Sequence, residues 1–367
     1  MIKSKEFVKT LRKNDILFAS GIPDSLTKDL CFEIEKQYNN NHVRCANEGS
    51  AIAEAIGFYL KKKKLPLVYM QNSGLGNAIN PIISLAHKKI FNIPLFLIIG
   101  WRGELGKDIK DEPQHIKQGE VTKNFLDNLD IIYEIIDAKS DFKKKILKLK
   151  KISLKKKKIV ALLIRKNSFE NKKSYITQKE KLPTREQALK CLVNEIPKNS
   201  IVVSTTGILS RELHEINNYM KKIYNFMCVG GMGHASSIAS GIAKNTKKKV
   251  FCFDGDGALT MHLGSLTTTS KNKNLIHVVF NNGTHESVGG QKTSSNGLKL
   301  FKIASTLGYN YHFRCTKIND VKKLIKFALK KNKSFFLEIL IQNGHRKNIS
   351  RPSKNMKLLV NKFMSKI

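Results

Sequence analysis

The sequence predicts an α/β fold made of two related domains, each a parallel sheet with helices on both faces. Three observations support this prediction. Short apolar segments typical of strands alternate with helical segments, which is the pattern of parallel strands joined by crossover helices. The pattern repeats weakly with an offset of roughly 185 residues, the scale of a duplicated domain. The chain has 367 residues, of which 41% are hydrophobic, enough to form two separate cores.

The repeat consists of matching segments in the two halves. Residues 16–21 resemble residues 201–207, and the small-residue segment 50–57 resembles 236–243. Each small-residue segment leads to a lysine run and an apolar strand, which ends in Gly74-Leu75-Gly76 in the first half and Gly255-Asp256-Gly257 in the second. Between the halves lies a polar stretch. We therefore predict a first domain over 1–166, a linker over 167–183 and a second domain over 184–367.

The segment Gly255-Asp256-Gly257, followed by Asn281-Asn282, carries the most chemical information. Its flanks predict a strand over 250–253, a helix from 258 to about 270, and a strand over 275–280. A strand–helix–strand unit places both strand ends on one rim, so Asp256 and Asn282 should meet beside a helix N-terminus. Oxygen ligands and free backbone N–H groups suit Mg²⁺ with a diphosphate. The alternative is two ordinary turns, but spacing and flanks together favour a cofactor site.

Composition excludes several classes of protein. The net charge is +37, but the lysine runs are spread over the chain and no nucleic-acid-binding signature appears. We predict no specific nucleic-acid partner, although nonspecific, salt-sensitive adhesion is expected. The apolar stretch around 90–101 is too short to span a bilayer, and the N-terminus lacks a signal-peptide pattern. The six cysteines form no CxxC pair, so we predict a cytoplasmic protein with reduced thiols and no membrane partner.

Segments along nearly the whole chain resemble one family of enzymes. The segments that carry the resemblance, besides the metal motif, are 20–25, 71–77, 100–104, 111–115, 204–207, 210–213, 231–237 and 281–290. In them the chain resembles thiamine-diphosphate (ThDP) enzymes, and among these the phosphonopyruvate decarboxylases, with the sulfopyruvate decarboxylases next. The resemblance implies a pyrimidine-binding first domain, a diphosphate-binding second domain, and a homo-oligomer, at least a dimer, whose active site is shared between subunits.

The resemblance also implies how the cofactor is held. It assigns Mg²⁺ to the side chains of Asp256 and Asn282 and the backbone carbonyl of Thr284. It assigns the diphosphate to backbone N–H groups of Gly207, Ile208, Gly257 and Ala258. The Gly230 carbonyl would hold the amino group of the pyrimidine, and Met232 would be the apolar wedge that bends the cofactor. Taken alone, a methionine is more often core filler.

Glu48 is the predicted catalytic carboxyl. It follows a short predicted strand and begins a small-residue helix, where the helix dipole favours an acidic side chain for structural reasons alone. In ThDP enzymes a glutamate at this place donates a hydrogen bond to the pyrimidine ring, which promotes the tautomer that removes the proton from thiazolium C2. The resemblance implies this role for Glu48.

The substrate side chains are predicted from the loops and the matched segments. Arg102, Lys107 and His115 follow the apolar strand predicted over 90–100, where α/β folds place active-site loops. Arginine suits a phosphonate or carboxylate, and His115 could bind substrate or shuttle a proton. Further candidates from the matched segments are Ser25, Asn72, His285 and Arg351. The alternative for each is a solvated or backbone-capping side chain.

The resemblance implies a ThDP- and Mg²⁺-dependent carboxy-lyase that converts 3-phosphonopyruvate, a small anionic 2-oxo acid, to phosphonoacetaldehyde and CO₂. The first alternative is sulfopyruvate decarboxylase, an activity commonly divided between two subunits, so a single fused chain favours phosphonopyruvate. Another ThDP-dependent 2-oxo acid decarboxylase is a further alternative. A basic nucleic-acid-binding protein would explain the charge but not the cofactor motifs.

Overall fold

In a computed structural model, the protein divides into two compact units, Met1–Tyr175 and Ile176–Ile367. The structure describes residues 1–104, 106, 111–170, 182–350 and 355–367. The start of the predicted linker is packed into the first unit, because Ser168 and Phe169 are buried and the backbone N–H of Ile2 donates to Ser168 O at 2.9 Å. Most of the predicted linker lies outside the described residues, so the domain boundaries remain a prediction.

The first unit is built on a parallel sheet. Its described strands are β1 (Ala19–Gly21), β2 (His42–Arg44), β3 (Leu67–Gln71), β4 (Phe96–Gly100), β5 (Ile132–Ile136) and β6 (Val160–Ile164). They form a six-stranded sheet in the order β2-β1-β3-β4-β6-β5, with every pair parallel. The strands β4 and β6 are buried along their whole length, as expected for a sheet covered on both faces.

Helices cover both faces of this sheet. They are α1 (Ser4–Lys13), α2 (Lys28–Tyr38), α3 (Glu48–Lys62), α4 (Leu75–Pro81), α5 (Pro113–Asn128) and α6 (Phe142–Lys156). Alternate residues of the central strands enter two different cores: Val68 and Leu97 pack in one, Tyr69 and Ile98 in the other. This alternation follows from the two-residue period of a strand.

The second unit has the same plan. Its described strands are β7 (Ser200–Ser204), β8 (Ile223–Met227), β9 (Val250–Gly255), β10 (Leu275–Asn281), β11 (Thr284–His285), β12 (Gln291–Lys292), β13 (Tyr311–Cys315) and β14 (Phe335–Leu340). Six of them form a parallel sheet in the order β13-β14-β10-β9-β7-β8, while β11 and β12 pair as a separate antiparallel ribbon. Read from β8, this order is that of the first unit strand for strand, as the internal repeat predicted.

The helices of the second unit are α7 (Arg185–Glu195), α8 (Ile208–Met220), α9 (Ala235–Lys244), α10 (Asp256–Met261), α11 (Leu266–Thr269), α12 (Leu300–Thr306), α13 (Ile318–Lys330) and α14 (Met356–Met364). Phe251 and Phe253 pack on one face of the sheet and Val250 and Cys252 on the other. The predicted α/β class, with a parallel sheet covered on both faces in each unit, is confirmed.

Two predicted elements differ from the structure. The strand predicted over 90–100 begins only at Phe96, because Asn92 has a left-handed backbone (φ 53°) and Pro94 cannot donate to a ladder. The helix predicted over 258–270 begins earlier, at Asp256, and is interrupted at His262, whose backbone (φ −134°, ψ 49°) is not helical. Among the described helices, none combines the length and apolar character needed to cross a membrane.

Candidate active site

The carboxyl ends of β9 and β10 bring the predicted metal ligands together. These strands are parallel neighbours, with Gly255 opposite Phe280, so Asp256 and Asn282 follow two adjacent strand ends on the same rim. Helix α10 begins at Asp256, whose side chain is buried. The structure therefore places a carboxylate, an amide and a helix N-terminus at one point.

The Asp256 carboxylate is held by two hydroxyl groups. Its Oδ2 accepts hydrogen bonds from Thr293 Oγ1 and Ser295 Oγ, each at 2.6 Å. Burial raises the pKa of Asp256, and these hydroxyls together with the backbone N–H of Asn282 oppose that rise. Among the described residues no charged side chain pairs with this buried carboxylate, so it is suited to a cation, which would supply the opposite charge.

Asn282 and Thr284 lie in a tight turn whose residue Gly283 has φ 68°. The Asn282 amide donates from Nδ2 to Glu286 Oε2 at 3.2 Å and accepts the backbone N–H of Thr284 at Oδ1, at 3.0 Å. The Thr284 hydroxyl donates to Asn343 Oδ1 at 3.1 Å. The side chains of Asn282 and Thr284 are therefore both held by hydrogen bonds.

The residues predicted to bind the diphosphate lie at two helix starts. Gly207 (φ 101°) precedes α8, which begins at Ile208, and Gly257 and Ala258 lie in the first turn of α10. First-turn N–H groups have no partner within their helix and attract anions. His285 packs against Gly257 so closely that a Cβ there would lie 2.8 Å from the imidazole Cε1.

Met232 and Gly230 lie in the glycine-rich segment before α9. The flanking Gly231 and Gly233 have φ of 61° and 92°, a backbone that other residues rarely adopt, and Met232 between them is half-buried. A Cβ at Gly233 would lie 2.6 Å from His262, so this segment packs directly on the interruption between α10 and α11.

In the first unit, Glu48 is the first residue of α3 and is buried. The Asn47 side chain caps the helix by accepting the N–H of Ser50 at 2.9 Å. The Glu48 carboxylate accepts a hydrogen bond from Asn77 Nδ2 at Oε2, at 2.8 Å. Its Oε1 lies against Gly74, where a Cβ would come within 2.5 Å. Gly74 therefore leaves the space that this carboxyl occupies.

Arg102 is tied to neighbours in its own unit. Its Nε donates to Asp111 Oδ2 at 2.8 Å, its Nη2 pairs with Asp111 Oδ1, and its Nη1 donates to Ser25 Oγ at 2.7 Å. Burial would raise the pKa of Asp111, but Arg102 and the backbone N–H groups of Gly103 and Glu112 hold it well below its usual range. The predicted substrate residues Arg102 and Ser25 are thus in contact.

Asn72 fixes the backbone of Arg102. Its amide donates to Arg102 O at 2.8 Å and to Thr122 Oγ1 at 2.9 Å, and it accepts the N–H of Arg102 at 3.2 Å. His115 lies in the first turn of α5 with Nδ1 3.2 Å from Gln118 Oε1, and burial, helped by the charge of Arg102, lowers its pKa. The predicted residues Lys107 and Arg351 lie outside the described residues.

Sequence reasoning missed several polar residues at these sites. Thr293 and Ser295 hold Asp256, and the only signal was a polar run after the Gly289-Gly290 pair. Asp24 is buried beside Gly100, and its pKa is raised by burial. Its one signal was its position in the matched segment 20–25.

Comparison with known proteins agrees with the fold. Residues 3–126 match the family described as "Thiamine pyrophosphate enzyme, N-terminal TPP binding domain", and residues 205–339 match "Thiamine pyrophosphate enzyme, C-terminal TPP binding domain". The class of the protein is therefore a ThDP-dependent enzyme with one domain of each kind.

Relatives place the chain more narrowly. It is 31% identical to phosphonopyruvate decarboxylase from Streptomyces viridochromogenes, over 96% of this chain and 91% of that protein. It is 24% identical to sulfopyruvate decarboxylase from Methanosarcina acetivorans, over 93% of this chain and 92% of that one. The beta subunit of sulfopyruvate decarboxylase from Methanocaldococcus jannaschii is 36% identical over 41% of this chain and 80% of its own length. The chain belongs to the phosphonopyruvate decarboxylase family of ThDP-dependent carboxy-lyases.

Proposed function

We propose that the protein decarboxylates 3-phosphonopyruvate to phosphonoacetaldehyde and CO₂, using ThDP and Mg²⁺. The observation that carries the proposal is the likeness to the Streptomyces viridochromogenes protein over nearly the full length of both chains. Sulfopyruvate is the second candidate substrate, since sulfonate and phosphonate make similar demands on an anion pocket. Fusion of both halves in one chain does not decide between them, because the Methanosarcina acetivorans protein also aligns over 92% of its length.

The donor set at the β9–β10 rim fits Mg²⁺ with a diphosphate. Asp256 offers a buried carboxylate and Asn282 an amide oxygen, both hard donors of the kind Mg²⁺ prefers. We assign the ion to Asp256, Asn282 and the Thr284 carbonyl. The diphosphate is assigned to the N–H groups of Gly207, Ile208, Gly257 and Ala258, and the remainder of the cofactor to Gly230 and Met232.

When bound, ThDP supplies a nucleophilic carbon at thiazolium C2 and takes up the electron pair released with CO₂. Glu48 holds the proton that the pyrimidine ring requires. Its burial at the start of α3, and the Asn77 bond that fixes one of its oxygens, support this role. A carboxyl fixed in this way keeps its geometry while it shares the proton.

The substrate anion is assigned to Arg102, Ser25 and His115, with His285, Lys107 and Arg351 as further candidates. Arg102 and Ser25 are already joined, so both can face one anionic group. Because the pKa of His115 is lowered by burial, its imidazole is neutral near pH 7 and can bind the substrate or accept a proton. Asn72 is assigned a supporting role, since its amide is used by the Arg102 backbone.

The assembly is proposed to be a homo-oligomer, at least a dimer, whose active site is shared between copies of the chain. The separate beta subunit of the Methanocaldococcus jannaschii enzyme, which matches only part of this chain, supports an activity assembled from more than one chain. A cytoplasmic location and the absence of a specific nucleic-acid partner remain predictions.

One experiment tests the substrate proposal. Aldehyde and CO₂ production are measured on phosphonopyruvate, sulfopyruvate and pyruvate side by side, with ThDP and Mg²⁺. We expect the highest kcat/KM on phosphonopyruvate, and a preference for sulfopyruvate would overturn the substrate assignment while leaving the chemistry. A second measurement distinguishes this enzyme from a basic nucleic-acid-binding protein. We expect ThDP uptake that requires Mg²⁺ and persists at high salt, whereas high salt would release nucleic acid bound by charge.

A further inference from the structure

Buried charged side chains support the turn that follows β10. The amide of Asn282 donates from Nδ2 to Glu286 Oε2 at 3.2 Å. Glu286 is buried and also accepts Arg185 Nη1 at Oε2, at 2.6 Å, and His345 Nδ1 at Oε1, at 2.8 Å. Arg185 is buried as well and pairs with a second carboxylate, Glu212, through Nε at 2.7 Å. The Asn282 NH₂ group is therefore joined to a network of four side chains, Glu286, Arg185, His345 and Glu212.

The neighbouring Asn281 has a network of the same design. Its Nδ2 donates to Glu338 Oε1 at 2.7 Å, and its Oδ1 accepts the N–H of Gly283 at 3.0 Å. Glu338, on β14, is fully buried and accepts hydrogen bonds from both Nε and Nη2 of Arg314 on β13, at 2.8 and 2.9 Å. An arginine therefore holds a glutamate, and that glutamate holds an asparagine, on both sides of the turn.

We propose that Glu286, held by Arg185, is a positioning residue that orients the Asn282 amide so that its Oδ1 faces the metal site. The inference rests on the proposed function, in which Asn282 ligates Mg²⁺. An asparagine amide has one donor end and one acceptor end of nearly equal size, and only the oxygen can bind a cation. A carboxylate accepts hydrogen bonds but cannot donate them, so Glu286 selects the NH₂ end and directs the oxygen away from itself, where Oδ1 also accepts the N–H of Thr284 at 3.0 Å.

Arg185 stabilises this orientation of the Asn282 amide. Arg185 Nη1 donates to the same Oε2 oxygen that accepts Asn282 Nδ2, so it holds that oxygen in place beside the NH₂ end. Arg185 also donates to Glu212 from Nε and Nη2, while the Nη1 group that contacts Glu286 is not used in that pair. Supporting groups of this kind behind a metal ligand usually contribute about 10- to 100-fold to metal affinity.

The test is Glu286→Gln, with Glu212→Gln as the matched control. Glutamine keeps the shape but offers one acceptor oxygen to the three donors Arg185, His345 and Asn282, and adds donors of its own. Calorimetric titration of ThDP binding against Mg²⁺ should show the half-saturating Mg²⁺ concentration rise about 10- to 100-fold in Glu286→Gln. Glu212→Gln also breaks a buried pair with Arg185 but does not contact Asn282, so it should lower the thermal midpoint without this shift.

A second variant separates orientation from general damage. In an Asn282→Asp background the ligand has two equivalent oxygens and needs no orienting partner, and the oxygen that replaces Nδ2 would face the Glu286 carboxylate at a distance of about 3.2 Å and be repelled by it. Adding Glu286→Gln should relieve this repulsion, so it should not raise the Mg²⁺ requirement in this background. Arg185→Lys, which keeps the charge, should give an intermediate shift if Glu286→Gln does not fold. An unchanged Mg²⁺ requirement in Glu286→Gln, or an equal rise in Glu212→Gln, would overturn this inference but leave the proposed function standing. Failure of the unaltered protein to take up ThDP with Mg²⁺ overturns the proposed function with it.

Discussion

The Arg102 side chain is bound to neighbouring residues and still has hydrogen-bond donors left for a ligand. A guanidinium has five N–H donors. Three hydrogen bonds join it to Asp111 and Ser25, which leaves two N–H groups for a substrate anion or for groups beyond the described residues. The Asp111 carboxylate holds the plane of the guanidinium, so an anion would meet an already oriented group. This arrangement reduces the entropy lost on binding.

Replacing Arg102 should therefore affect substrates unequally. In Arg102→Ala we expect kcat/KM on phosphonopyruvate to fall by the equivalent of about 2–5 kcal/mol, because a charge that meets a buried anion is lost, with a much smaller effect on pyruvate. Steady-state kinetics on both substrates measure the difference. The variant also leaves Asp111 unpaired, so Arg102→Ala with Asp111→Asn is the control. Equal losses on both substrates would show that Arg102 is structural or serves the shared carboxylate.

Glu48→Gln tests the carboxyl at the start of α3. The amide should still permit ThDP binding but lose most of the exchange of the thiazolium C2 proton, since it cannot play the same proton-donating part. Proton exchange followed by NMR in deuterated solvent measures the loss. Glu54→Gln, an exposed residue on the same helix, is the matched control and should exchange normally. Unimpaired exchange in Glu48→Gln would remove Glu48 from the mechanism.

At the scale of elements, α5 is placed by close backbone contact rather than by side chains alone. Gly119, inside α5, lies against the carbonyl of Gly103, so that a Cβ there would overlap it. Gly103 itself has φ 70° and lies against the backbone of His115. The Trp101 indole N–H donates to Gly119 O at 3.1 Å. The loop that begins at Arg102 and the helix that carries His115 are therefore fixed to each other.

This contact predicts opposite effects for two helical glycines. Gly119→Ala should destabilise the protein by about 1–3 kcal/mol or more, because a methyl group is forced into backbone atoms. Gly57→Ala, in α3, should stabilise it by about 0.5–1 kcal/mol, since a Cβ at Gly57 meets no atom within 4 Å and alanine favours a helix. Urea unfolding measures both values. A neutral Gly119→Ala would contradict the packing described for α5.

At the scale of the whole molecule, the two units show how duplicated domains have diverged. Their strand orders coincide, and α4 begins at Leu75 after a short 3-10 turn that follows β3, whereas α10 begins at Asp256 directly after β9. At the equivalent point the first unit has Leu75, fully buried, where the second has Asp256. An apolar side chain cannot ligate a cation, so the metal site that we propose for the second unit has no counterpart at Leu75 in the first.

The proposed sharing of the site between subunits predicts complementation. Asp256→Ala chains should lose Mg²⁺-dependent ThDP binding and Glu48→Gln chains should lose activation, so each is inactive alone. Mixed dimers should regain part of the activity, because one of their two sites combines an intact Glu48 with an intact Asp256. Activity is measured after the two variants are unfolded and refolded together. Mixed dimers that form and stay inactive would contradict the shared site.

The order of segments along the chain was enough to predict the fold class and the position of part of the candidate site. Alternating strands and helices determined the fold class, and the strand–helix–strand connection around Asp256 determined that Asn282 would lie at the same rim, because a right-handed crossover leaves little choice. The start of α3 at Glu48 followed from the helix pattern. These features depend on residues close in sequence or on a connection of known hand.

Only the tertiary structure decided which side chains meet over long separations. Arg185 and Glu286 are 101 residues apart, and Ser295 and Asp256 are 39 apart, yet both pairs are in contact. The interruption at His262, where the Gly233 segment packs, was likewise not recorded in the apolar periodicity. Hydrogen-bond partners of buried polar groups are selected by the geometry of the assembled core, and no local pattern in the chain records that geometry.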